Sequence, residues 1–256
     1  MNLKFHSYQY KKILPGLIII CFILFLYKSY GAMEYTYQNF AEFVKLTKEH
    51  IILVFITMFF SNTAGIFIGI MMTRKGWENI SPVVMSIINI WQSIPSLGVI
   101  ALAYSLLPLI GLSGIGLVPA FVAIFAFSVA PVVRNTFAGI NSVDKHLIEA
   151  ATGMGMTKTQ ILFNIEIPNA LNVIMGGIKT STALIVGVAP LACLIGGGGL
   201  GFWIFTGIQL VDMGIMMAGA IPVGAIAIIF NYILDIIEKL IVSQGLQSAD
   251  NNLSAI

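Results

Sequence analysis

Long uncharged stretches divide the chain and predict its membrane-spanning helices. Asp, Glu, Lys and Arg are absent from residues 51–73, 79–133, 180–211 and 213–234. A helix needs about 20 apolar residues to cross a bilayer. The 55-residue stretch 79–133 therefore has room for two helices, divided near Pro108 and the GLSGIG sequence of residues 111–116. The pattern predicts five membrane-spanning helices.

A shorter apolar stretch, residues 13–30, is a sixth candidate. It follows Lys11 and Lys12, which is also the pattern of a secretory signal peptide, but the YGAM sequence of residues 30–33 is a poor cleavage site. A retained membrane anchor is therefore favoured over a cleaved signal peptide. Residues 1–50 are predicted to form this anchor helix and an external loop.

The distribution of positive charge predicts the orientation of the helices, because basic residues accumulate in cytoplasmic loops. With six spans and a cytoplasmic N-terminus, ten of the 13 Lys and Arg residues lie on the cytoplasmic side. These ten are Lys4, Lys11, Lys12, Arg74, Lys75, Arg134, Lys145, Lys158, Lys179 and Lys239, whereas Lys28, Lys45 and Lys48 lie outside. The predicted fold is an all-α polytopic membrane protein, with about six transmembrane helices and both termini cytoplasmic. Residues 51–240 form its transmembrane domain and residues 241–256 a cytoplasmic tail.

Composition agrees with this fold and excludes several functions. Of the 256 residues, 58% are hydrophobic and 9% are charged, and the mean hydropathy of +0.94 is too high for a soluble globule. The net charge of +2 gives no indication of nucleic-acid binding, and the three histidines lack metal-ligand spacing. Cys21 and Cys193 are interpreted as small apolar side chains. The sequence lacks the G-x-x-x-x-G-K-S/T phosphate loop, so the chain is not an ATPase by itself and is not expected to be an enzyme.

Residues 134–170 form a polar, glycine-containing cytoplasmic segment between two apolar stretches. Ser142 or Asp144 can cap a helix over residues 145–154, which Gly153 and Gly155 then interrupt. The segment is therefore predicted to begin with one short helix and a sharp turn.

A second short helix, residues 158–165, is predicted after this turn. Thr157 and Gln160 have the spacing of a capping box, and Pro168 suits the first turn of the following membrane helix. Small residues such as Ala150 and Ala151 permit close approach to a partner's cleft. An amphipathic connector lying on its own helical bundle is the alternative interpretation.

The segment resembles the EAA loop of ATP-binding-cassette (ABC) importer permeases. Glu149, Ala150 and Ala151 are followed at the family's spacing by Gly155, then by Ile165 and Pro168, while Ile167 replaces the usual leucine. Three flanking stretches, residues 91–102, 130–160 and 189–201, resemble the permeases for glycine betaine, carnitine and choline. The resemblance covers about residues 50–240, and Pro190 departs from the family's usual sequence in the last stretch.

This resemblance implies the type I importer fold and a multi-pass permease of the bacterial cell membrane for a quaternary ammonium osmoprotectant. Two copies, or this chain and a paralogue, face each other above a cytoplasmic ABC ATPase dimer, and an extracytoplasmic protein delivers the solute. ATP and Mg²⁺ are bound by the ATPase subunits, and no cofactor is expected on this chain. The resemblance places the ATPase-coupling surface at Glu149, Ala150, Ala151, Gly153, Gly155, Ile165 and Pro168.

A candidate translocation path includes Trp91, Pro95, Tyr104 and Pro190, which lie in or near the predicted spans. Aromatic rings can attract a quaternary ammonium ion, and prolines can bend helices. Aromatic packing or interfacial anchoring, also for Phe127 and Trp203, and the ordinary frequency of proline in membrane helices are the alternatives.

Three other functions are compatible with the sequence to different degrees. The same type of permease for an amino acid or a thiol-bearing betaine is one alternative, and a membrane scaffold that docks an ATPase without forming a path is another. A secondary transporter is disfavoured because ionisable residues are scarce within the predicted spans.

Overall fold

The structure is a computed structural model that describes residues 21–22 and 25–242. The helices that lie wholly within these residues are α1 (Ala32–Gln38), α2 (Phe40–Met72), α3 (Ser81–Gln92), α4 (Ser96–Leu106), α5 (Leu117–Asn141), α6 (Lys145–Gly153), α7 (Lys158–Ile161), α8 (Ile167–Val188), α9 (Gly201–Leu210) and α10 (Met213–Ile241). Short 3₁₀ segments follow α4 (Leu107–Ile110) and α8 (Ala189–Ile195), and a π-helical segment, Leu162–Glu166, joins α7 to α8. Most of the predicted anchor helix and tail lie outside the described residues.

Four helices are long and apolar enough to cross a membrane, and a bent pair is a fifth candidate. The four are α2, α5, the continuous helical run Lys158–Ile195 and α10. The fifth consists of α3 followed by Ser96–Ile110, and its two parts meet at 102°. The prediction of five spans in the part of the chain after residue 50 is confirmed in this form.

The predicted span over residues 180–211 is wrong. The helix crosses Lys179 and ends at Ile195, and residues 201–210 form the separate short helix α9. Lys179 was taken as the end of an apolar stretch, but its ammonium group forms ion pairs with Asp235 and Glu238 of α10. A charge that is neutralised inside the bundle does not have to leave the membrane, so it does not mark a helix end.

The helix over the apolar stretch 51–73 is longer than that stretch, because α2 already begins at Phe40. Charged residues in its first turns are paired within the protein. The carboxylate of Glu42 accepts a hydrogen bond from Nε1 of Trp203 at 3.1 Å, and that of Glu49 accepts one from the backbone N–H of Gly199 at 3.0 Å. Because these carboxylates are hydrogen-bonded, the helix can begin before its uncharged part.

The 102° bend lies at Pro95, as expected for a proline that cannot continue the preceding helix. Pro95 has an extended backbone, with ψ of 140°, and caps the start of α4. By contrast, Pro131 lies inside α5 and Pro222 inside α10, and both helices continue through them. The α3–α4 pair is therefore the span that is interrupted.

Helix α5 lies at the centre of the bundle, between α2 and α8. Small residues allow these helices to approach closely: a Cβ atom on Gly69 would lie 2.6 Å from Cβ of Thr136. A buried hydrogen bond of 2.7 Å between the hydroxyls of Ser61 and Ser128 links α2 to α5. Ser181 of α8 donates to the Ser128 carbonyl at 2.8 Å. Close backbone approach and interhelical hydrogen bonds are the means by which helices associate where lipid surrounds them.

Candidate functional site

Helix α6 begins and ends by local rules that the sequence already carries. The side chain of Asp144 accepts a hydrogen bond from the backbone N–H of His146 at 2.9 Å, which confirms the predicted cap. One face of α6 packs against the helical bundle. Ala151 is 1% exposed, and Ile148 packs against an apolar cluster that includes Ile140 and Ala170. The helix is therefore fixed to the ends of the membrane helices.

The outer face of α6 is solvent-exposed in this chain. The Glu149 side chain is 76% exposed, and Ala150 beside it is exposed as well. Within the described residues, the polar contact of Glu149 is with the neighbouring His146, whose Nδ1 lies 3.7 Å away. A short side chain next to an exposed carboxylate leaves a shallow surface that another protein can approach closely.

The sharp turn after α6 depends on Gly155, which has φ of +80°. The Gly155 N–H donates to the Thr152 carbonyl at 3.0 Å, and the Met156 N–H donates to the Ala151 carbonyl at 3.1 Å. This pair of bonds is the Schellman motif, which places a left-handed residue directly after a helix. Gly153, by contrast, is the last residue of α6 and its φ is not positive.

The predicted capping box opens α7. Thr157 Oγ1 accepts from the Gln160 N–H at 3.3 Å, and Gln160 Oε1 accepts from the Thr157 N–H at 2.8 Å. The second helix was predicted to be a separate short helix over residues 158–165, but α7 continues through the π-helical segment into α8. Pro168 still lies in the first turn of α8, as predicted. A π-helical turn is one way in which a helix accommodates the hydrogen bond that proline cannot make.

Ile165 anchors this second part of the segment. Its side chain packs against the same apolar cluster that receives Ile148 of α6. Of the residues predicted for the coupling surface, Glu149 and Ala150 thus face outward, whereas Ala151 and Ile165 face the bundle. Gly155 shapes the turn between the two halves.

An ion pair that sequence reasoning missed joins this segment to α2. Arg74 Nη2 lies 2.7 Å from the carboxylate of Glu166, which is 8% exposed. Arg74 also donates to Thr73 Oγ1 at 2.7 Å, and a cleft of about 560 Å³ lies beneath the pair, bounded by α6 and α7. The signal in the sequence was a lone acidic residue among apolar neighbours, but its partner is 92 residues away.

A second missed feature lies inside α5. Arg134 Nη2 donates to Oδ1 of Asn89 and to Oε1 of Gln92, both at 2.6 Å. From its place after the uncharged stretch 79–133, Arg134 was predicted to be a cytoplasmic charge that ends a membrane span. In the structure it lies within α5 and contacts two residues of α3 just before the 102° bend.

The residues predicted for a translocation path do not form one aromatic site. Trp91 packs against the core, Pro95 lies at the bend, and Tyr104 of α4 is 50% exposed. Pro190 is buried in the 3₁₀ segment after α8. Trp203 is fully buried and stacks on Phe43, so core packing accounts for it.

The family model described as "Binding-protein-dependent transport system inner membrane component" matches residues 61–244. This chain belongs to that family of inner-membrane permeases. Membership confirms the resemblance drawn from the EAA segment and its flanking stretches.

Curated relatives of this permease include osmoprotectant permeases. The chain is 39% identical over 217 residues to the glycine betaine/carnitine/choline transport system permease protein OpuCB of Bacillus subtilis, covering 84% of this chain and 95% of that protein. It is 40% identical over 229 residues to the osmoprotectant import permease protein OsmY of Salmonella typhimurium, covering 90% and 94%. This permease is thus a multi-pass membrane subunit of an ABC importer, similar to osmoprotectant transport proteins.

A solved structure shows the same fold. An inward-facing conformation of the MetNI methionine ABC transporter contains a chain that matches with a TM-score of 0.70 and 23% identity, covering 80% of this permease and 99% of that chain. The likeness confirms the predicted type I importer fold.

Proposed function

We propose that this chain is the translocation subunit of an ATP-driven importer for a quaternary ammonium osmoprotectant such as glycine betaine, carnitine or choline. Residues 134–170 couple closure of a cytoplasmic ABC ATPase dimer to alternating access in the membrane helices. A second permease copy or paralogue completes the pathway, and an extracytoplasmic binding protein delivers the solute.

One observation carries the coupling role, namely the two different faces of α6. The inner face, with Ile148 and Ala151, is packed on the bundle, whereas the outer face, with Glu149 and Ala150, is exposed. A connector that served only its own bundle would not need the capped helix, the Schellman turn and the capping box to hold a small-residue surface outward. These features support a docking surface for another protein.

The connections of this surface support the transfer of motion. Helix α5 leads into α6 through residues 142–144, and α7 continues into α8 without a break in the helix. The Arg74–Glu166 ion pair ties the same region to the end of α2. A displacement of α6 therefore acts on three of the membrane-spanning helices.

In this proposal, the ATPase subunits hydrolyse ATP and the permease moves the solute. The chain has no phosphate loop, so ATP and Mg²⁺ belong on the ATPase subunits and hydrolysis is their reaction. The permease binds no cofactor of its own in this proposal. The osmoprotectant assignment rests on the names of relatives about 40% identical over most of the chain.

Reconstitution tests the proposal. The permease, its ATPase and its binding protein are placed in liposomes, and uptake of labelled choline, glycine betaine, carnitine and methionine is measured with and without ATP. We expect ATP-dependent uptake of at least one of the three quaternary ammonium compounds. Uptake of methionine alone would assign a different cargo, and ATP hydrolysis without movement of any solute would favour the scaffold alternative.

A variant of the outer face tests the coupling surface in the same liposomes. Ala150→Trp adds a large side chain at an exposed position, so we expect the permease to fold but to lose copurification with the ATPase. Asn79→Trp, an exposed residue in the α2–α3 connection, is the matched control and keeps the ATPase bound. Equal copurification of both variants with the ATPase would reject the assignment of this surface.

A further inference from the structure

Arg134 is a charged residue inside a membrane-spanning helix. It lies seven positions before the end of α5 at Asn141, which places it about 10 Å from the end of that helix that leads into α6. A guanidinium group stays protonated in proteins, so this position carries a full positive charge. Intramembrane charges are costly and are usually retained for a function.

The partners of Arg134 are neutral. No carboxylate among the described residues forms an ion pair with it, whereas Lys179 and Arg74 both have acidic partners. Its two acceptors are the amide oxygens of Asn89 and Gln92, both at 2.6 Å. These residues are three positions apart and share one face of α3, so a single guanidinium holds that face.

Helix α3 has few other attachments to the bundle. Among its residues, all of which the structure describes, only Ser81 is buried. The Ser81 hydroxyl fixes the start of α3 to the Met72 and Trp77 carbonyls at 2.6 and 2.8 Å. The Arg134 contacts fix its other end, next to the bend at Pro95, where Trp91 also packs against the core. Arg134 therefore connects the helix that leads into α6 with the interrupted span.

We propose that Arg134 is a positioning residue that transmits movement of α5 to the inner half of the interrupted span. The proposal rests on the proposed function, because it places Arg134 between the ATPase-coupling helix α6 and the bend. When α6 is displaced, α5 moves with it, and the two charge-assisted hydrogen bonds draw the end of α3 along. Without them, α3 is connected to α5 only through apolar packing of Trp91 and through α4, so its end follows ATPase closure less completely.

The proposed role of Arg134 is tested by the coupling ratio of the reconstituted complex. This ratio is the number of solute molecules moved per ATP hydrolysed. Arg134→Met removes the donors while keeping a long side chain, and we expect the ratio to fall about tenfold or more, the order expected from losing one or two charge-assisted hydrogen bonds. ATP hydrolysis continues. Arg134→Lys offers an ammonium group to the same acceptors and should give an intermediate ratio. Lys239→Met is the charge-matched control at an exposed site and should keep the full ratio.

A crosslink distinguishes mechanical connection from a purely structural or electrostatic role. In a background in which Cys21 and Cys193 are replaced by Ser, cysteines at positions 89 and 134 are joined by a short bifunctional thiol reagent of about the length of an arginine side chain. We expect the uncrosslinked double variant to be uncoupled and the crosslinked one to regain most of the ratio. Failure of the crosslink to restore the ratio, or a parallel loss of hydrolysis and transport in Arg134→Met, would overturn the proposal. If the unaltered complex moves no solute, the importer function itself is rejected.

Discussion

Replacement of Gly155 by valine tests whether the turn after α6 sets the position of the coupling surface. A Cβ atom at this position meets no heavy atom within 4 Å, so the substitution introduces no clash. The whole effect comes from the backbone, because φ of +80° is a conformation that residues with a Cβ rarely adopt. The perturbation is therefore conformational and local.

The size of the effect follows from the left-handed conformation. It costs an L-residue about 1–2 kcal/mol, and more for a β-branched residue, so the equilibrium constant for forming the native turn falls roughly 5–30-fold. If the turn positions α6 for the ATPase, transport falls by up to a similar factor. Asparagine tolerates this conformation better, so Gly155→Asn should retain most of the transport.

The assay is ATP-dependent uptake at equal permease abundance in the membrane, with copurification of the ATPase as a second measurement. Gly76→Val is the matched control, since Gly76 has φ of +98° and equally open surroundings but lies in the α2–α3 connection. We expect Gly76→Val to reduce transport less than Gly155→Val. Unchanged uptake in Gly155→Val would refute the inference that this turn positions the surface.

Three further substitutions follow from single contacts. Asp144→Ala removes the cap of α6 and should destabilise that helix by about 0.5–2 kcal/mol, seen as faster hydrogen exchange over residues 145–153. Glu166→Gln leaves Arg74 without its carboxylate and should lower the stability of the purified permease by about 1.5–3 kcal/mol, measured as a lower unfolding temperature in detergent. Gly177→Ala puts a methyl group 2.7 Å from a side chain of α5 and should cost about 1–3 kcal/mol in the same assay. Gly176→Ala, where nothing lies within 4 Å, should not be destabilising.

Several features of the permease could be derived from the sequence because they depend on neighbouring residues. The Asp144 cap, the Thr157–Gln160 box and the Gly155 turn each involve groups within a few positions of one another, and the structure contains all three. Long uncharged stretches likewise indicated the number of spans, since each apolar run by itself determines whether lipid can surround it, but they misplaced the span over residues 180–211. The number of spans and the local geometry of residues 144–160 were thus accessible in advance.

Only the tertiary structure showed that Lys179 and Arg134 lie inside helices and which residues they contact. Lys179 and Arg134 were taken as helix ends because, in sequence, a charge beside an apolar run looks like the point where the chain leaves the lipid. Their partners lie on other helices, 59 residues away for Glu238 and 45 for Asn89, and only packing brings them together. Local rules therefore determined the helices, caps and turns of this permease, whereas the connections that join the proposed coupling surface to the interrupted span exist only after the helices have assembled.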